Sequence, residues 1–141
     1  MFFVATCLLF DKNGKLLIYL RDNKPTISFP SHWDLFGGII EEGETPEQAL
    51  VREVEEELGI QLREYAAFRE YESHTIEKPN RKYVFYAKIN LPPEQLKLNV
   101  GQRLEAISLE NRHNYKFANI LGDIIEDFAN AGIIIQMHND V

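Results

Sequence analysis

Hydrophobic residues along this chain follow two rhythms, one near two and one near 3.6, and each marks a different kind of element. Apolar runs at Phe2–Phe10 and Lys15–Arg21 predict strands, joined by Asp11-Lys12-Asn13-Gly14, whose Asn-Gly pair suits a tight hairpin turn. A polar loop spans Asp22–His32, and Trp33–Ile40 leads into the next element. Ile60–Ser73 and Arg81–Asn90 read as a strand pair, with Tyr83, Phe85, Ala87 and Ile89 alternating onto one face. Pro92-Pro93 ends that pair, and Arg103–Leu109 predicts a further short strand.

The helical rhythm occurs twice. Thr45, Pro46 and Gln48 have the features of a helix start: a hydroxyl cap, a proline where no N–H is needed, and a capping-box partner. Gly59 supplies the stop. Between them Leu50, Val51, Val54 and Leu58 share a face that should pack, while Glu53, Glu56 and Glu57 share an acidic arc of roughly 100°, with Glu57 expected to face solvent and a bound ion. The second stripe is Phe117, Ile120, Leu121, Ile124, Ile125 and Phe128, on a helix ending near Gly132, with Asn119 just inside its start. Ile133-Ile134-Ile135 has no evident element of its own, and core packing is its default role. Strands interspersed with two amphipathic helices predict an α/β fold with a mixed sheet covered on its faces.

Composition narrows the picture. The 141 residues suit one domain, 1–141, able to bury roughly two thirds of its unfolded surface. A net charge of −7 argues against a duplex nucleic-acid partner, which calls for a basic face, but allows small phosphorylated ligands whose charge a metal offsets. The apolar opening lacks a basic leader and is too short to span a bilayer, so no membrane association is expected. Cys7, the only cysteine, cannot form an internal disulfide and fits a cytoplasmic setting, with nothing to support a reactive thiol. His32, His74, His113 and His138 lack zinc-like spacing and read as surface or packing residues.

The acidic arc carries the candidate chemistry. Like charges one helical turn apart cost an isolated helix roughly 0.2–0.5 kcal/mol per pair, and a divalent cation would offset that cost. Carboxylate oxygens suit magnesium, with manganese as a substitute. Arg52, beside Glu53 and one turn before Glu56, could orient a carboxylate through its planar fork. Gly37-Gly38 can take backbone angles closed to other residues and bring a carbonyl close to a ligand. Glu44 has two readings, loop brace or outlying metal ligand.

Gly38, Glu44, Arg52, Glu53, Val54, Glu56, Glu57, Gly59 and Ile60 recur in the order of the signature box of the Nudix hydrolases, so that residues 38–60 resemble that family at every fixed position. The resemblance implies an α/β/α sandwich and water attack on a diphosphate. It places the Gly37 carbonyl with Glu53, Glu56 and Glu57 on the metal, and gives catalytic roles to Glu53, Arg52 and Glu56, with Glu53 the first choice of general base. Substrate contacts are expected from Gly38, from Arg21 as a phosphate clamp, and from Asn119, which resembles the base-reading asparagine of MutT-type enzymes. Phe68, Tyr71, Tyr83 and Phe85 could stack on a base, though core packing is their default.

Two departures stand out. Where several small relatives carry a further glutamate, this chain reads Asn99-Val100-Gly101-Gln102, leaving Glu105 and Glu94 as substitutes with surface roles as the default. Phe36 stands where relatives often have proline. The leading function is hydrolysis of a nucleoside triphosphate, oxidised or not, to the monophosphate and pyrophosphate. The alternatives are cleavage of nucleotide sugars and a nucleotide-sensing module that binds without cleaving. Monomer and homodimer both remain open.

Overall fold

The computed structural model describes residues 1–74, 79–137 and 139–140, so His138 lies outside the described residues. Its strands are β1 (Phe2–Phe10), β2 (Leu16–Leu20), β3 (Trp33–Asp34), β4 (Phe36–Ile39), β5 (Ala66–Ser73), β6 (Asn80–Lys88) and β7 (Arg103–Ile107). Its α-helices are α1 (Pro46–Leu58) and α2 (Leu121–Ala131), with short 3₁₀ turns at Pro93–Gln95 and Leu109–Asn114. The strands form one mixed sheet in which β1 and β6 run parallel while the other pairings are antiparallel.

The hairpin turn forms as its sequence requires. Gly14 sits at φ 77°, and the Asp11 carboxylate accepts from the backbone N–H groups of Asn13 and Lys15 at 2.8 and 3.0 Å. β1 and β2 meet only at Phe10↔Leu16. Beyond that point the Trp33–Ile39 stretch crosses between them: β3 follows β2 through Tyr19↔Asp34, and β4 follows β1 through Thr6↔Gly37. This crossing places Asp34 and the glycine pair side by side in the sheet.

Alternation along β1 sends Ala5, Cys7 and Leu9 to one face and Leu8 and Phe10 to the other, and a separate core forms on each. On the first, Leu50, Val54 and Leu58 of α1 pack with Phe36, Phe85 and Ile89. On the second, Ile124, Ile125 and Phe128 of α2 pack with Trp33 and Val84. Each buried Leu, Ile or Phe contributes roughly 1.5–3 kcal/mol, so both helices are held mainly by packing. Ile133 and Ile135 pack on the α2 core while Ile134 stays exposed.

α1 begins and ends as its sequence indicates. Thr45 Oγ1 accepts from Gln48 N at 3.1 Å, Gln48 Oε1 accepts from Thr45 N at 2.9 Å, and Gly59 closes the helix at φ 69°. Other boundaries differ from the pattern. The Ile60–Ser73 strand starts only at Ala66, because Ile60 and Leu62 are core residues on an unpaired connection. That connection is held by the buried Asn139, whose Oδ1 accepts from Arg63 N and Glu64 N and whose Nδ2 donates to Glu64 O and Lys88 O. β7 stops at Ile107, and Leu109 opens a 3₁₀ turn instead. α2 begins at Leu121, so Asn119 lies before the helix, not inside it, in a left-handed conformation at φ 53°.

Candidate active site

Two features adjoin Gly37-Gly38: an acidic rim from α1 on one side and a cleft on the other. The rim is organised around Arg52. Its Nε and Nη2 donate to the two oxygens of Glu44 at 2.7 and 2.9 Å, and Nη1 donates to Glu53 Oε1 at 2.8 Å. Nη2 also reaches the Ile39 carbonyl at 3.0 Å, tying the helix to the end of β4. Glu44 Oε1 takes a further bond from Glu41 N, so Glu44 braces the loop before α1. The Arg52 bonds hold the Glu44 carboxyl down to about 2.

The three arc carboxylates have different surroundings. Glu56 is exposed and only loosely reached by Arg52 at 3.4 Å. Glu53 lies so close to Gly38 that a β-carbon there would collide with its carboxyl group. Burial raises the Glu53 pKa against the opposing effect of Arg52. Glu57 is 8% exposed, which corrects the expectation that it faces solvent. Counted on the helix it borders the packed face two turns after Leu50 and one turn after Val54, and its Oε1 accepts the Gly37 N–H at 2.8 Å. Burial, with the nearby negative charges of Glu53, Asp34 and Glu56, pushes its carboxyl up to about 8, while the Gly37 bond opposes the rise.

Among the described residues no three Asp, Glu, His or Cys side chains already form a cation cage. The donor chemistry nevertheless fits a hard cation: oxygen donors only, with Glu57 raised by burial and further by the charges of Glu53, Asp34 and Glu56, and with Glu56 at the rim exposed and loosely held. Gly37 is at φ 139°, and an added β-carbon would meet the Ala5 carbonyl. Glycine is therefore required to bring that peptide between Glu57 and β1.

The cleft, about 580 Å³, lies over Val4 and Thr6 of β1 and is bounded by Gly37-Gly38 at the rim and by Ala118, Asn119 and Leu121 from the α2 side. Arg21 borders it, held by Asp34 Oδ2 at 2.7 Å through Nη1 and by the Ser28 carbonyl at 3.0 Å through Nε. Asn119 also borders it; its Oδ1 accepts from Ser73 Oγ at 2.6 Å and from Ile120 N at 2.8 Å. Sequence reading missed Asp34, Asn80 and Lys82, all of which line this cleft. The available signal was phase: Asn80 and Lys82 fall on the face of β6 opposite Tyr83, Phe85 and Ala87, with buried Val84 next in line. The aromatic alternatives do not line it. Phe68 packs on Phe128, and Tyr71 donates to Asp127.

The remaining sequence features resolve locally. Asn99 N donates to the Glu57 carbonyl at 2.8 Å, so the loop where relatives carry a further glutamate does reach α1 but brings a neutral residue. Glu105 accepts from Tyr115 Oη at 2.8 Å and serves a structural contact. Phe36 is fully buried against Tyr19. Cys7 is fully buried, and burial pushes its thiol pKa up, so it is inert.

Residues 3–128 match the profile of the NUDIX domain. The chain belongs to this family. Among solved NUDIX-type structures, the MutT protein from Methanosarcina mazei Go1 superposes with a TM-score of 0.81 at 21% identity, covering 94% of this chain and 96% of that one. The NUDIX domain of NrtR from Shewanella oneidensis, complexed with ADP ribose, has a TM-score of 0.75 at 17% identity, covering 92% and 86%. Both confirm the α/β fold with its mixed sheet. Curated relatives match over shorter stretches. The Proteus vulgaris 8-oxo-dGTP diphosphatase is 39% identical over 59 residues, 42% of this chain and 51% of that protein. Nucleoside triphosphatase NudI of Salmonella schwarzengrund is 49% identical over 57 residues, 40% of this chain and 39% of that protein. The matched stretch thus spans about half or less of these relatives' length.

Proposed function

We propose that this NUDIX chain is a magnesium-dependent pyrophosphohydrolase that cleaves nucleoside triphosphates to the monophosphate and pyrophosphate. The observation that carries the reading is the glycine pair, which borders the cleft while touching Glu53 and Glu57. A nucleoside seated in the cleft has its phosphates beside those two carboxylates. The names of the two curated relatives, a diphosphatase and a triphosphatase of nucleotides, support the same class.

Gly37, through its carbonyl, and Glu53, Glu56 and Glu57 would hold magnesium, or manganese in its place. The ion would offset charge on the phosphate oxygens and lower the cost of deprotonating water. The chain's own residues do the rest. Arg52 fixes Glu53 through Oε1, leaving Oε2 to take a proton as water oxygen bonds to phosphorus and the bridging P–O bond to the leaving phosphate breaks. Gly38 leaves room for that carboxyl group beside the substrate. Arg21 and Asn119 contact the substrate at the cleft's borders. No helix among the described residues is long and apolar enough to cross a membrane, and a cytoplasmic small-molecule enzyme without nucleic-acid partners is the setting we assign.

The test is a panel of nucleoside triphosphates, an oxidised triphosphate and nucleotide sugars incubated with magnesium, with products separated by chromatography. Monophosphate plus pyrophosphate from a triphosphate is the expected outcome. A nucleoside monophosphate with a sugar phosphate, and no triphosphate cleavage, would replace this reading with the nucleotide-sugar one. Binding without any cleavage would make the chain a sensor.

A further inference from the structure

Lys82 is a cation in an unusual place. It lies on β6 in register with Val4 of β1, is 7% exposed, and lines the cleft. An ammonium has three N–H donors, and the one hydrogen bond it makes among the described residues runs from Nζ to Asn80 Oδ1 at 2.9 Å. Lys82 forms no ion pair there. Asp34, the nearest source of opposite charge to act on it, is engaged by Arg21 and Tyr19. Burial lowers the Lys82 pKa, Asp34 opposes that and Arg21 adds to it. Donors this deep without acceptors are costly unless an incoming group supplies them.

Asn119, on the other side of the cleft, is also a donor. Its Oδ1 is occupied by Ser73 and Ile120, and because a backbone N–H can only donate, this contact fixes which end of the amide is oxygen. Nδ2 therefore remains to donate, and the left-handed backbone at φ 53° is held by those same two bonds. The two donor groups, Lys82 and Asn119, both line the cleft, and Val4, Ala118 and Leu121 give the same lining apolar surface. Such a surface accepts a planar ring whose edge carries carbonyl oxygens and penalises one whose edge carries an amino group, since two donors would then face each other.

We infer that Lys82 donates to a carbonyl oxygen of the substrate's base, so that the cleft selects keto nucleobases, guanine, thymine or uracil, over adenine and cytosine. This rests on the hydrolase reading above and names the substrate class of that site. Lys82 is set away from the acid rim: β6 and β4 pair with opposite edges of β1, and it is β4 whose glycines touch Glu53 and Glu57. That offset assigns it to the base and not to the phosphates.

The test compares kcat/KM for dGTP, dTTP, dATP and dCTP in the wild type and in Lys82→Met, with melting curves to confirm folding. The wild type is expected to favour dGTP or dTTP over dATP by about tenfold or more, the size of one buried hydrogen bond left unmade. Lys82→Met should bring the ratio to within about threefold by losing the keto substrates. An equal loss for all four would put Lys82 on the shared phosphates or ribose and overturn the inference, as would a wild type indifferent to the base. Should the methionine variant not fold, Lys82→Gln, whose amide can donate or accept, is expected to flatten the same ratio. Calorimetric binding of dGMP, dTMP, dAMP and dCMP separates the two readings. If no triphosphate is cleaved but the keto monophosphates bind more tightly, the hydrolase proposal fails and this one stands. Cleavage of triphosphates with no base preference has the opposite result.

Discussion

The acid rim and the cleft share Gly37-Gly38 yet are assembled at very different ranges. The rim comes from residues close in sequence, Glu44, Arg52, Glu53, Glu56 and Glu57, with Glu44, Glu53 and Glu56 fastened by the Arg52 guanidinium. The cleft draws Thr6, Asp34, Lys82 and Asn119 from five separate segments once Arg21 is included. Residues within a helix and its preceding loop find one another by local geometry, so the rim is a property of one stretch of chain. The cleft exists only because β1 and β2 separate after Phe10↔Leu16 and the Trp33–Ile39 stretch fills between them. Substitutions at the rim should therefore act on chemistry, and substitutions at the shared glycines on both halves.

The largest effect should come at the shared point. Gly37→Ala puts a β-carbon into the Ala5 carbonyl at a φ of 139° that alanine avoids, and a loss of about 3 kcal/mol or more in urea denaturation is expected. A near-normal unfolding midpoint would show that the two halves are not coupled through this peptide. Next is Glu57→Gln, expected to lower kcat/KM in magnesium on the order of 100- to 1000-fold while the protein stays folded. The amide keeps an oxygen for the Gly37 N–H and cannot ionise in its buried position, so folding survives for a reason other than solvent exposure. Activity near the parent level would remove Glu57 from the site.

Arg52→Lys separates bracing from binding within the rim. A lysine cannot hold both Glu44 oxygens and Glu53 together, so kcat should fall about 10- to 100-fold with KM little changed and the melting point lowered only modestly. A rise in KM alone would mean Arg52 contacts substrate instead.

The smallest effect is a pH dependence. Glu57 has a folded pKa of about 8, above its ordinary 4.5, so the folded state binds the proton more tightly than the unfolded one. Its contribution to stability is fully present below pH 4.5 and is lost as pH rises through about 8. With metal chelated, thermal midpoints should decline across that window, and added magnesium should raise them most at its upper end. Glu57→Gln should flatten the chelated profile. A parent profile that climbs over the same range would contradict the burial of this carboxylate.

Legibility followed the same division. Thr45, Pro46, Gln48 and Gly59 mark α1 because capping is settled by bonds within one turn, and the acids follow from the helical period. α2 has no side-chain cap, and its stripe runs on through Phe117 and Ile120, so its true start at Leu121 and the left-handed turn at Asn119 were not readable. Asn139, which holds the Ile60–Tyr65 connection from the far end of the chain, leaves no local trace. Nor does period alone tell that Glu57 sits inside and Glu56 outside, since both fall on one arc and only the approach of β4 divides them.

From its sequence alone this protein determined the order of its strands and helices, both amphipathic faces and the acids of the rim, since each rests on contacts within a few residues or on an alternation written along one segment. Tertiary structure decided which acids are buried, that Glu44 braces the loop before α1, and that Lys82 and Asn119 share one cleft. Those outcomes depend on which segments lie beside one another across the sheet, and distance along the chain carries no record of that.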